Sequence, residues 1–247
     1  MNPTARILGA AWIAWLALFA VDAQAQAQEG CTPVPEQVAT NVDQSTMSVT
    51  TTCDDSGIRR YVLRARNRDR AELQEMVVEA ADEAPNGRAG LLDVDGDGHH
   101  EVEVRGMCGA GPNCMGDLYR VNRKTGELQQ FFSGGYSDLS MIDGYLVEAG
   151  RASCCSWEYH AYRLDDRAEV RGYDNMDLMV EVGADLSSDD ENAPARCKFS
   201  QRRGDDWTVI APPSREWLAL CTLYGETYHL VTPREARGAE QSATAQE

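Results

Sequence analysis

After residue 21 this 247-residue chain has no long apolar run, and taken as a whole it has no excess of positive charge. The first absence excludes a bundle of membrane helices, because each span needs roughly 20 consecutive apolar residues. The second sets the formal net charge at -17, which excludes nucleic acid and anionic membrane surfaces as general partners. An acidic balance of that size suits divalent cations or a basic protein. Catalytic signatures are missing too. There is no G-x-S-x-G, no H-E-x-x-H and no phosphate-binding glycine loop. "GMCGAGPNCMG" is glycine-rich, but Cys108 and Cys114 bound it, and a disulfide-closed loop explains it. Acid pairs such as Asp165–Asp166, Asp189–Asp190 and Asp205–Asp206 read as ordinary loop residues. The expectation is that the chain is not an enzyme. With four histidines and no pair of C-x-x-C motifs, a zinc site is not expected either.

What is present begins at the N-terminus. Arg6 precedes an apolar run from Ile7 to Val21, and small residues alternating with glutamine follow. This is the order of a secretory signal, assigned to residues 1–27, with cleavage after Ala23, Ala25 or Ala27. The mature chain is expected to be periplasmic or extracellular. All eight cysteines lie beyond the signal: Cys31, Cys53, Cys108, Cys114, Cys154, Cys155, Cys197 and Cys221. An even count in an exported chain implies a disulfide framework, although eight cysteines allow 105 connectivities. Sequence proximity favours Cys31–Cys53, Cys108–Cys114 and Cys197–Cys221. The remaining pair is either bridged to itself or crosses to Cys108 and Cys114. Neighbouring Cα atoms lie about 3.8 Å apart, below the usual disulfide range.

Most of the chain reads as strands punctuated by turns. "IRRYVLRAR", "HEVEVRGM", "GDLYRVNRKTGELQQFF", "LSMIDGYLVEAG", "EYHAYRLDDRAEVRGY", "DWTVIAP" and "WLALCTLYGETYHLV" all carry that signal, and Asp143-Gly144 marks a hairpin. "RAELQEMVVEAA" fits helix and strand equally. The fold expected is mainly β, an antiparallel sandwich or small propeller-like fold stapled by disulfides. The organisation expected is a central β domain over 28–183, an acidic linker or loop over 184–196, a small C-terminal β piece over 197–231 and a disordered tail over 232–247. Arg64, Arg66, Arg68 and Arg70 alternate, which on a strand places them on one face. That face is expected to pair with nearby acids.

One stretch concentrates charge against itself. In "LLDVDGDGHHEVEV" Asp93, Asp95, Asp97 and Glu101 stand at positions 1, 3, 5 and 9 of a loop, with Gly98 at position 6. Calcium takes six to eight oxygens, and this spacing folds alternate carboxylates inward around a turn that glycine permits. The His99 carbonyl stands where position 7 supplies an oxygen. Position 12 is Val104, so the bidentate glutamate of a full EF-hand is missing. The spacing matches instead a D-x-D-x-D-G-x-x-[DE] loop that runs into a strand. Adjacent His99 and His100 point oppositely on an extended segment and are not expected to share a metal.

From about Leu73 to Leu164, the order of "LLDVDGDGHHEVEVR", a cysteine–glycine loop, "LYRVNRKTGEL", a hairpin and "SCCSWEYHAYRLD" resembles a known family. This family is the periplasmic immunity proteins that inhibit lysozyme-like effectors delivered by bacterial type IV secretion. The loop is also similar to the calcium loops of FG-GAP and VCBS repeats. The resemblance implies a β-propeller-like fold, Ca2+ held by Asp93, Asp95, Asp97, His99 and Glu101, and inhibition of a peptidoglycan hydrolase or binding of another envelope protein. The competing expectation is a calcium-stabilised structural or adhesive envelope module, with a hydrolase third.

Overall fold

The computed structural model describes residues 31–67, 72–79, 87–165, 169–185, 188, 190 and 193–244. The signal segment, Arg68 and Arg70 lie outside them. The chain is mainly β, in antiparallel sheets that follow sequence order. The first sheet runs β1 (Val34–Thr40), β2 (Thr46–Cys53), β3 (Arg59–Arg66), β4 (Glu72–Glu79). In β3 the period-two alternation buries Tyr61, Leu63 and Ala65 and turns Arg60 and Arg64 to the other face. β4 settles the segment that fitted helix or strand equally. Its Met76 and Val78 pack inward opposite Leu63 and Tyr61. Its acids register against the arginines: Arg64 Nε donates to Glu75 Oε2 at 2.7 Å, and Arg60 Nε to Glu79 Oε1 at 3.2 Å.

The second sheet is β5 (Arg88–Leu92), β6 (Glu101–Cys108), β7 (Cys114–Val121), β8 (Leu128–Tyr136). The third runs β9 (Asp138–Ile142), β10 (Tyr145–Arg151), β11 (Ser156–Arg163), β12 (Leu178–Gly183), β13 (Ala195–Arg203) and β14 (Asp206–Ile210), with β15 (Tyr228–Leu230) parallel to β13. Asp143 and Gly144 join β9 to β10 with φ of 50° and 76°, the left-handed pair that a two-residue hairpin needs.

The second sheet buries both faces. Val102, Val104, Tyr119 and Leu128 pack on Met47, Val49, Tyr61 and Leu63 of the first sheet. Leu118, Phe132 and Tyr136 pack on Leu146 and Tyr162 of the third. The far face of the third sheet carries Val147, Ala161, Val180, Val182 and Phe199, covered by Trp217 and Cys221.

Several expectations need correction. "WLALCTLYGETYHLV" is a 3₁₀ helix over Glu216–Tyr224 before the short β15, because Trp217 and Cys221 both plug the third sheet and Cys221 is tied to Cys197. There is no separate C-terminal β piece at 197–231: β13 pairs with β12 along its length, inside the same sheet as β9–β11. The tail expected to be disordered carries helix α1 (Pro233–Thr244). Its Thr232 Oγ1 accepts from the Glu235 amide at 3.3 Å, and Glu235 Oε2 accepts from the Thr232 amide at 3.5 Å, a reciprocal cap of the S/T-x-x-E form with proline at the first helical position. "EYHAYRLDDRAEVRGY" supplies β11 and then runs into a 3₁₀ turn at Tyr173–Asn175; among its described residues after β11 there is an isolated bridge from Arg171 to Phe132. Of the two arrangements open for Cys154 and Cys155, the structure has the pair bridged to each other, and no cysteine is free. Among the described residues no helix is long and apolar enough to cross a membrane.

Candidate functional site

β5 and β6 pair from Leu92 opposite Glu101 outward, so residues 93–100 form a loop closed at its base. Gly96 and Gly98 hold φ of 71° and 84°, the left-handed region glycine enters freely. The aspartates curl inward onto the backbone. Asp93 accepts from the amides of Asp97 at 3.1 Å and Gly98 at 2.9 Å. Asp95 Oδ1 accepts from Asp97 N at 3.2 Å, and Asp97 Oδ1 from His99 N at 2.7 Å. The result gathers carboxylate oxygens of Asp93, Asp95 and Asp97 within 4.8 Å of one another. Arg123 forms an ion pair with Asp97.

Glu101 and His99 stand apart from that trio. Glu101 is 3% exposed, and its Oε2 accepts from the Val94 amide at 3.0 Å, which ties off the loop. Burial pushes its carboxyl up to about 7; the Val94 N–H opposes the rise and the charges of Asp95 and Asp93 add to it. The His99 ring lies 3.2 Å from Asp97 Oδ1 and 3.7 Å from Asp43 Oδ2. His100 turns elsewhere, its amide and Nδ1 reaching Asn41 Oδ1 at 2.9 and 3.1 Å.

These contacts join the loop to the turn after β1. Val42 N donates to Gly98 O at 3.0 Å. A Cβ on residue 98 would collide with the Val42 side chain, so glycine serves there for close approach as well as for φ. Between loop and turn opens a cleft of about 520 Å³, lined on the polar side by Asn41, Asp43, Asp95, Glu101, Arg120 and Arg123. That is within the size range of ligand sites.

Sequence reasoning missed a second cluster. Glu148 on β10 is 4% exposed and faces β8. Its Oε1 accepts from Tyr162 Oη at 2.8 Å and lies 2.6 Å from His160 Nδ1, while His160 Nε2 lies 3.2 Å from Glu158 Oε2. Tyr173 meets the imidazole edge-on, and Arg171, which pairs with Asp177, lies close enough to act electrostatically on Tyr162. Gly134 on β8 leaves room for the carboxylate, since a Cβ there would collide with Glu148 Oε2. The signal was available: Glu148 shares its strand face with the apolar Leu146, whose β11 neighbour Tyr162 is buried.

No family model and no curated protein matches the chain. Among solved structures, it is similar to one described as the structure of a Xanthomonas type IV secretion system related protein, at 16% identity and a TM-score of 0.42, over 72% of this chain and 93% of that one.

Proposed function

We propose that the chain is an exported calcium-binding protein that acts by binding a partner, and that the partner is a peptidoglycan hydrolase which it inhibits. The observation that carries the calcium reading is the gathering of the Asp93, Asp95 and Asp97 carboxylates within 4.8 Å in a loop that two left-handed glycines permit. The donor set is all hard oxygen, which suits calcium and offers nothing a soft metal prefers. Three anions at that separation repel one another, and a bound divalent cation would neutralise them and stiffen the cleft rim. Those three aspartates would hold the ion, and Glu101 would brace the loop from beneath. Support for the partner comes from the sequence resemblance to periplasmic immunity proteins and from the net charge of -17, which steers association toward a basic enzyme surface. Four disulfides suit an oxidising compartment.

The test has two readouts. Without the position-12 glutamate, affinity should fall at the weak, extracellular end, roughly 10⁻⁴ to 10⁻³ M. At ten times Kd the stabilisation is about 1.4 kcal/mol, or roughly 3–6 °C in Tm for a chain of this size. Chelator should reverse the shift and Asp95→Ala should abolish it while the protein stays folded. Peptidoglycan lysis by a lysozyme-like enzyme should then fall stoichiometrically with added protein. A melting temperature indifferent to calcium, with no heat in titration calorimetry, rejects the calcium reading. Calcium binding without any inhibition leaves the envelope-module reading, and lysis by the isolated protein would make it a hydrolase.

A further inference from the structure

The four disulfides differ in the loops they close: Cys108–Cys114, six residues apart, closes a short one with its Cα atoms at 3.8 Å. Cys31–Cys53 and Cys197–Cys221 link residues 22 and 24 apart in sequence, with Cα atoms separated by 5.8 and 5.4 Å, within the usual range. Cys197 and Cys221 are also fully buried. Such bridges stabilise by closing a loop that would otherwise be open in the unfolded chain. Cys154–Cys155 has a sequence separation of 1. It closes no loop, so the unfolded chain loses almost no freedom to it. Its Cα separation of 3.8 Å lies below the usual range, as does that of Cys108–Cys114, a condition that favours reduction; the pair differs from Cys108–Cys114 in closing no loop, and Cys154 is exposed.

The turn that carries the pair is held without it. Arg151 Nε donates to Ser153 O at 2.9 Å and Nη2 to Cys154 O at 3.0 Å. The amides of Ala152 and Ser153 donate to Ser156 O at 3.1 and 3.2 Å, and Ala184 N donates to Cys155 O at 3.0 Å. None of these bonds uses sulfur, so the backbone can keep its course whether the sulfurs are joined or free. Arg151 also sets a fixed positive charge beside the pair, and cationic surroundings favour thiolate over thiol. The neighbouring Cys108–Cys114 loop docks on the same arginine, with Asn113 Nδ2 donating to Arg151 O at 3.1 Å and Arg151 N to Asn113 Oδ1 at 2.8 Å.

We propose that Cys154–Cys155 is a thiol–disulfide exchange site whose substrate is an external thiol. The incoming thiolate attacks Sγ of Cys154, the more exposed residue of the two. A mixed disulfide forms, and the Cys154–Cys155 bond breaks with its electron pair leaving on Cys155 Sγ. A second thiolate attacks the donor sulfur of the mixed disulfide and expels the Cys154 thiolate. The donor departs as a disulfide, two electrons remain on the cysteine pair, and both thiolates take protons from water according to their pKa. The donor is either a small thiol or a protein dithiol, two sources with one chemistry.

The test is graded reduction of the folded, disulfide-intact protein, followed by alkylation with N-ethylmaleimide, intact mass and peptide mapping. Three arms use glutathione, dithiothreitol and a reduced thioredoxin-fold oxidoreductase. The expected result in at least one arm is a first wave of two labels, both on the peptide holding Cys154 and Cys155, at a donor concentration roughly tenfold below that needed for Cys197–Cys221. Near-UV circular dichroism should be unchanged through that wave. A wave with glutathione identifies small thiols as sufficient; a wave with the oxidoreductase alone identifies a protein donor. The Cys154→Ser/Cys155→Ser variant should lose the wave and keep the other three bridges. The proposal is overturned if another bridge is labelled first, if the pair resists all three donors until the protein unfolds, or if the wave persists in the double variant.

Discussion

Replacing Glu148 tests a buried electrostatic requirement of this fold. Its Oε1 lies 2.8 Å from Tyr162 Oη and 2.6 Å from His160 Nδ1, and His160 Nε2 faces Glu158 at 3.2 Å. Carboxylates opposite both ring nitrogens call for two N–H donors, and a neutral imidazole has one. The ring is therefore favoured as imidazolium. Burial pulls its pKa down, but the hydrogen bonds and charges of Glu148 and then Glu158 outweigh burial, and the net shift is upward. A raised histidine contributes stability that is complete below its unfolded value, about 6.5, and is lost as pH rises through the folded value. Glu101, pushed up to about 7, acts with the same sign at lower pH, from its unfolded value near 4.5 upward. The histidine is therefore read from the difference in slope between the wild type and a Glu148 variant, since Glu101 acts alike in both, in chelator. Glu148→Ala leaves the Tyr162 hydroxyl without its acceptor and the half-buried imidazolium with Glu158 alone. Breaking one side of a buried pair costs about 3–5 kcal/mol, which for a chain of this size lowers Tm by roughly 6–20 °C near pH 6. Glu148→Gln keeps an acceptor but removes the charge, so its loss of stability with rising pH should be shallower than that of the wild type. Thermal melts followed by circular dichroism from pH 6 to pH 9 decide the matter. A wild type more stable at pH 9 than at pH 6.5, or a Glu148→Ala variant within 2 °C of it at pH 6, would refute the reasoning.

Two further outcomes follow from the geometry. Removing the Cys197–Cys221 bridge by Cys197→Ala/Cys221→Ala opens a link spanning 24 residues and should cost roughly 3–4 kcal/mol by loop-closure entropy; urea unfolding without reductant measures it, and a loss under about 1 kcal/mol would show that the bridge does not constrain the unfolded chain. Arg123 pairs with Asp97 in the acidic loop, so it competes with a cation there, and Arg123→Ala should tighten calcium binding by up to about fivefold at low salt, the range of an exposed pair. Titration calorimetry that finds unchanged or weaker binding would remove Arg123 from the site.

Local signals in the sequence carried further than global ones. Asp143-Gly144 marked its hairpin because only a few residue pairs accept two left-handed positions, and both have positive φ. The alternation in β3 placed Tyr61, Leu63 and Ala65 inside without knowledge of what they would meet. Three disulfides followed from proximity alone. What proximity could not weigh was whether adjacent cysteines would bridge, since that depends on where Cys108 and Cys114 lie in space. The 3₁₀ helix at Glu216–Tyr224 was misread because nine largely apolar residues buried at Trp217 and Cys221 show no clear period. Helix α1 was misread for the opposite reason. Its polar composition outweighed a legible start signal, Thr232-Pro233-Arg234-Glu235. In the acidic loop the spacing gathered the three aspartates but did not reveal that Glu101 is buried, because it points to the face opposite Val102 and that face is covered only by the packing of another sheet.

That covering accounts for the position of the loop. The second sheet is clamped on both faces, by the first sheet through Val102 and Val104 and by the third through Leu118 and Phe132. Glu101 begins the strand at the centre of this clamp, and its carboxylate grips the Val94 amide. The loop base is therefore anchored in packed structure, while its tip carries three repelling charges. The tip in turn holds the first sheet, through Val42 N to Gly98 O and through Asn41 to His100. Any cation at the tip would relieve repulsion in a loop that bridges two sheets at the mouth of the cleft. Small changes in charge at Asp93, Asp95 and Asp97 thus bear on the seam between sheets as well as on one turn, which is where a partner entering the cleft would make contact.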